Sequence, residues 1–208
     1  MARHEWRPLN FFRPPARATH ARERSAILRR VERIASEVKY EGRIATVRVD
    51  RFRYEDGSES DREIVAHPGA VGIIAYDDEF AYLVRQPREA VGERALLEVP
   101  AGKLDVEGES PLECAQRELV EEIGYAAREW EEAKRFYATP GFAEEEVTLF
   151  FATGLEPVDG HEPIAEERIE VVRWPLAELD AAIEECADSK SIIGLLLLVM
   201  YVSAVIST

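Results

Sequence analysis

The sequence predicts an α+β fold, a sandwich in which helices cover a mixed sheet. Three observations predict it. Short strand-like runs fill the chain from Ile44 to about position 102, one well-capped helix follows, and two more strand runs, a last strand and two helices close the chain. Strand and helix do not alternate regularly, which argues against a doubly wound sheet. The 208 residues suit one domain with an appendage, and 46 % apolar residues suffice for a sizeable core.

The elements follow in order. Residues 21–38 carry mixed charge and read as a helix. "TVRVDRFRY" (46–54) alternates, "EDGS" turns, and "DREIVAH" (61–67) returns; Asp56-Gly57 between extended runs signals a hairpin. "AVGIIAY" (70–76) and "FAYLVRQ" (80–86) make a second pair around "DDE". "ALLEVPAG" (95–102) is a further strand. Beyond the capped helix, "AKRFYAT" (133–139), "VTLFFATGL" (147–155) and "IEVVRWP" (169–175) are strands, and helices are expected near 176–186 and 188–204. "IIGLLLLVMYVSAVI" (192–206) is uncharged but shorter than the roughly twenty residues of a membrane span, so it reads as a buried C-terminal helix at a subunit contact.

Charge narrows the partners. The formal net charge is −15, which repels nucleic-acid backbones. Residues 1–40 carry ten Lys/Arg against four Asp/Glu, while the remainder is strongly acidic. Residues 1–37 are therefore set apart as a basic extension, helical or partly disordered and suited to recruiting a partner, with the main domain over 38–208. Cys114 and Cys186 both fall in helical patterns and cannot make a disulfide framework. Residues 1–30 lack the apolar core of a secretory signal, so the expected setting is cytoplasmic.

The central helix carries the chemistry. Ser110 caps it, Pro111 fits its first position, Glu113 completes a capping box, and Gly124 sits where a left-handed C-terminal residue is wanted. Leu112, Leu119 and Ile123, with Ala115 at the edge, form the expected core face. Glu118, Glu121 and Glu122 group on a neighbouring face, where each like-charged pair costs a few tenths of a kcal/mol. Arg117 is the one cation of "RELVEEIG". Two readings fit: a solvated acidic face, or carboxylates gathered for a hard divalent cation, Mg²⁺ or Mn²⁺.

The segment from Gly102 through Glu109, Arg117-Glu118-Leu119, Glu121-Glu122 and Gly124-Tyr125 closely resembles the Nudix box, about nine fixed positions over 24 residues. One departure is visible: six residues separate Gly102 from Glu109 where the family has five. The resemblance implies a Nudix-type α/β/α sandwich with an N-terminal antiparallel hairpin region. It implies Glu118 and Glu122 as main metal ligands, Glu121 as a third or catalytic carboxylate, the Ala101 carbonyl as a further ligand, and a Glu109–Arg117 pair pinning loop to helix. Gly102 joins the substrate-binding set, and Gly124 ends the box helix.

Flanking stretches resemble the ADP-ribose pyrophosphatase branch: "HPGAV" (67–71), "VRQPR" (84–88), "EVPAGKLD" (98–105), Pro140-Gly141 and "DSKSIIGLLLL" (188–198). This implies Mg²⁺-dependent hydrolysis of ADP-ribose to AMP and ribose 5-phosphate. Arg88 would contact substrate, Arg62 would reach the adenosine half across a homodimer interface, and Glu145 in "GFAEEEV" would be the base. Arg62 as an exposed strand charge, and "GFAEEEV" as a solvated acidic loop, stay open beside these roles. The alternatives are a pyrophosphatase for another nucleoside-diphosphate sugar, GDP-mannose or a UDP-sugar, and a nucleotide-sensing Nudix module.

Overall fold

The computed structural model describes residues 31–160 and 168–206. Strands β1 (Val31–Glu41), β2 (Thr46–Tyr54) and β3 (Glu59–Ala66) lie in that order in a three-stranded sheet. Residues 31–38, expected as the end of a helix, are strand. Val31, Ile34, Val38 and Tyr40 suit a pleated surface, and pairing with β2 overrides the weak local helix preference. The rest of that expected helix, and most of the basic extension, lie outside the described residues.

Contacts divide the chain into two units: Met1–Glu37 with Asp50–Arg62, and Val38–Val49 with Glu63–Thr208. In the first, buried Asp50 accepts hydrogen bonds from Ser36 Oγ at 2.6 Å and Arg33 Nη1 at 3.3 Å. Arg51–Asp61 and Arg53–Glu59 ion pairs line its exposed surface.

The second unit holds a seven-stranded mixed sheet of β4 (Ala70–Tyr76), β5 (Phe80–Arg88), β6 (Glu93–Glu98), β7 (Ala101–Lys103), β8 (Tyr125–Tyr137), β9 (Glu146–Pro157) and β10 (Glu170–Pro175). Its main order is β10-β5-β4-β9-β8, with β6 on β5 and β7 on β4; β4 and β9 run parallel. The expected strand 95–102 is broken at Val99-Pro100, because proline cannot donate to a ladder. β8 begins eight residues before its expected start. Its charged "REWEE" stretch looks unlike a strand, but it pairs with β9 along its length as an edge, where charge blocks further pairing.

Helix α1 (Pro111–Ile123) covers one face of this sheet; α2 (Leu179–Glu185) and α3 (Ser189–Ile206) cover the other. Alternation along β4 sends Val71, Ile73 and Ala75 toward Cys114, Ala115, Leu119 and Ile123 of α1. Ile74 turns the other way, into a core with Leu83, Leu149, Leu195 and Leu198. The expected α/β/α sandwich is what forms. No helix among the described residues is long and apolar enough to cross a membrane.

One core expectation fails. Leu112 is 37 % exposed, while Cys114 is fully buried. The buried stripe of α1 runs through Cys114, Ala115, Leu119, Glu122 and Ile123, so its centre is rotated away from Leu112. Leu112 instead lines a shallow 340 Å³ surface cavity with Trp130 and Phe150. The expected outcome is a contrast in urea denaturation: Leu119→Ala costs about 2–5 kcal/mol, and Leu112→Ala less than about 1 kcal/mol.

Candidate active site

The site is built where β7 meets α1. Pairing of Ala101 and Gly102 with Gly72 and Val71 of β4 fixes the backbone of β7. The helix is fixed at both ends. Ser110 Oγ accepts from Glu113 N–H at 3.3 Å while Glu113 accepts from Ser110 N–H at 2.8 Å, and Gly124 ends it in the left-handed region at φ 75°. Both framing expectations hold.

Two helix carboxylates then lie against β7. Glu122, 5 % exposed, accepts the Ala101 N–H at 2.9 Å through Oε2. Glu118 sits over Gly102 so closely that an added Cβ there would overlap its carboxyl carbon and Oε1. A side chain at position 102 would therefore have to displace the Glu118 carboxylate.

Arg117 organises the remaining charge. Its Nε and Nη2 donate to the two oxygens of Glu109 at 2.8 and 3.0 Å, and Nη1 donates to Glu118 at 2.7 Å and Glu121 at 2.8 Å. Hydrogen bonding to Glu109 leads the interactions that hold the Arg117 proton far more tightly than usual, and the same bond lowers the Glu109 carboxyl. The extra residue of the preceding loop is absorbed in a turn closed by Glu109 N–H to Val106 O at 3.2 Å, and Glu109 still reaches the helix. Cys114, 3.5 Å from Arg117 Nη2, is pushed up to about 12 by burial and stays a thiol.

The donors suit a hard divalent cation: carboxylates of Glu118, Glu121 and Glu122, with the Ala101 carbonyl on the same fixed strand. Among the described residues no three such side chains converge on a single ion position. Glu118 meets Arg117 through Oε1 and Glu121 through Oε2.

A second polar cluster was not foreseen. Glu98, whose side chain is only 2 % exposed, accepts from Arg88 Nε at 2.8 Å and Nη2 at 2.6 Å, and from Lys190 Nζ at 2.8 Å. Lys190 also reaches Asp188 at 2.9 Å. Ser191 of α3 accepts the Val99 N–H at 2.9 Å, tying the helix start to the strand end. Burial works to raise the Glu98 carboxyl, but hydrogen bonds from Arg88 and the charge of Lys190 outweigh it and hold it below its ordinary value. Arg88, raised first by Glu98, also feels Glu122. The sequence signal was a lone carboxylate in the apolar run "ALLEV", which requires a cationic partner once buried.

The other expected residues fall elsewhere. Arg62 is exposed and bonds within its own hairpin, to Ser60, the Asp61 carbonyl and Tyr54. Glu145 lies on the loop joining β8 to β9. On either side of it, Glu144 is held by Arg48, and Glu146 lies 3.7 Å from Arg135.

Comparison with known proteins places this geometry. Residues 66–193 match the NUDIX domain family. The chain is 42 % identical over 149 residues to an ADP-ribose pyrophosphatase of Mycobacterium tuberculosis, covering 71 % of this chain and 72 % of that one. It is 38 % identical over 162 residues to an ADP-ribose pyrophosphatase of Bacillus subtilis, covering 76 % and 86 %. The crystal structure of an ADP compounds hydrolase superimposes with a TM-score of 0.72 at 25 % identity, over 85 % of this chain and 96 % of that chain.

Two outcomes follow from the geometry. Gly102→Ala displaces the Glu118 carboxylate, and Mn²⁺ affinity by titration calorimetry is expected to fall about 10- to 100-fold with the fold intact. For Glu98, a depressed folded-state value means its pairing stabilises fully above the ordinary 4.5 and is lost as pH falls through the folded value. The stability gap between wild type and Glu98→Gln, read from urea midpoints, should be widest above about pH 4.5 and close below it.

Proposed function

The chain belongs to the Nudix family, and from that premise we propose that it hydrolyses the diphosphate of ADP-ribose to AMP and ribose 5-phosphate, using Mg²⁺. One observation carries the reading: Glu118 and Glu122, a helical turn apart, both lie against the Ala101–Gly102 backbone. With Glu121 and the Ala101 carbonyl they are the groups to hold the ion. A divalent cation supplies charge neutralisation and Lewis acidity to a diphosphate, which also reconciles an anionic substrate with a chain of net charge −15.

The chain's own residues do the rest. The attacking water must lose a proton as its bond to phosphorus forms and the bridging P–O bond breaks, and Glu145 is the base that accepts it. Glu145 is favoured over its neighbours because Glu144 and Glu146 are already engaged by Arg48 and Arg135. Arg88 contacts the substrate diphosphate, held in place by the fork of hydrogen bonds to Glu98. Glu109 and Arg117 pin the loop over the helix.

The working form in this reading is a cytoplasmic homodimer, with Arg62 serving the adenosine half of the substrate. Two free, buried cysteines suit a reducing compartment.

The test is a panel of ADP-ribose, GDP-mannose and a UDP-sugar with purified protein and Mg²⁺. ADP-ribose is expected to give the highest kcat/KM, with AMP released, and Glu122→Gln to lower kcat at least about a hundredfold. Preference for either other nucleotide sugar would replace the substrate assignment.

A further inference from the structure

The loop that carries Glu145 is attached to the fold at several points, and one of them is ionic. Val65 of β3 donates its N–H to the Phe142 carbonyl at 2.8 Å and accepts from Glu144 N–H at 3.1 Å, forming a parallel bridge to Ala143. Glu145 itself accepts from Ala138 N–H at 3.0 Å through its backbone carbonyl. These bonds fix where the backbone of 142–145 runs. They leave the rotation of the side chains to be set.

Arg48 of β2 sets that of Glu144. Its two terminal nitrogens bond to the two oxygens of Glu144, Nη1 to Oε2 at 2.8 Å and Nη2 to Oε1 more closely still. The Arg48 side chain is only 13 % exposed, whereas that of Glu144 is 47 % exposed. A guanidinium so shielded has little freedom, and a fork-to-fork pair fixes direction as well as distance. Between the bridge at Ala143 and the start of β9 at Glu146 stand only Glu144 and Glu145. Holding Glu144 therefore restrains the two-residue link in which Glu145 stands.

From this we infer that Arg48 is a positioning residue for hydrolysis: by binding Glu144 it restrains the link beside Glu145 and so keeps Glu145 presented as the base. It also cancels the negative charge adjacent to Glu145, which otherwise resists a second carboxylate beside it. Arg135, next to Glu146, treats the charge on the other side. The inference rests on Glu145 being the base, and the experiment separates the two.

Arg48→Ala, Arg48→Lys, Glu144→Gln, the Arg48→Ala/Glu144→Gln pair and Glu145→Gln are assayed on ADP-ribose with saturating Mg²⁺, with circular dichroism to confirm folding. Arg48→Ala and Glu144→Gln are each expected to lower kcat about tenfold with KM within about twofold, and the double variant to be no worse than either single one. Arg48→Lys recovers only part of the rate, since an ammonium does not reproduce the planar fork. The acid limb of the kcat–pH profile should move to higher pH in Arg48→Ala, where Glu144 is left charged beside Glu145, and return in the double variant. Wild-type kcat in Arg48→Ala, strictly additive losses, or an unmoved acid limb would overturn the role of Arg48. An active Glu145→Gln would overturn the base assignment and with it this inference.

Discussion

The site depends on one guanidinium. Three glutamates within five residues of a helix repel one another, by a few tenths of a kcal/mol for each exposed pair. Arg117 meets two of them and, with the rest of its donors, takes both oxygens of Glu109. A lone surface ion pair contributes at most about 1 kcal/mol. Here the fork is bidentate and the Glu109 side chain only 11 % exposed, so the geometry is held from two sides. The helix therefore keeps its acidic face before any ion arrives. One guanidinium thus anchors Glu109 and also holds an oxygen each of Glu118 and Glu121.

Much of this was legible because it is local. A capping box, a proline at the first helical position and a glycine beyond the last are short-range signals, and α1 begins and ends where they place it. β2 and β4 match their alternating or apolar runs to the residue. The errors arose where a partner distant in sequence decides. β1 is a strand because β2 pairs with it, and the charged half of β8 is a strand because β9 does. Leu112 satisfied the helical period but lies outside the stripe that the sheet covers, and that stripe takes in Glu122 instead.

Glu122 and Glu98 show why the candidate site was only half legible. Each is a carboxylate almost wholly removed from water, and each is tolerated because its oxygens meet donors far away in sequence. For Glu122 the donor is a backbone N–H on β7; for Glu98 it is an arginine from β5 and a lysine from α3. The box pattern names Glu122 but says nothing of its burial. No local spacing links position 98 to position 190, so the Arg88–Glu98–Lys190 cluster becomes visible only when α3 packs across the sheet. The apolar C-terminal run thus has a second consequence beyond filling the core: it carries Lys190 to a carboxylate that aims Arg88.

The two forks, Arg88–Glu98 and Arg48–Glu144, solve the same problem at different places. A chain this acidic cannot hold a diphosphate by general attraction, because its far field repels anions. Its cations must act at short range, each directed by a carboxylate. Under the proposed function, the cation of the first fork is the working group, oriented by Glu98, and in the second the carboxylate is restrained so that its neighbour works. The local field of the site is then set by which carboxylates are matched by a nearby cation. Net charge does not predict this, which is why a strongly acidic sequence is compatible with a phosphate-handling site.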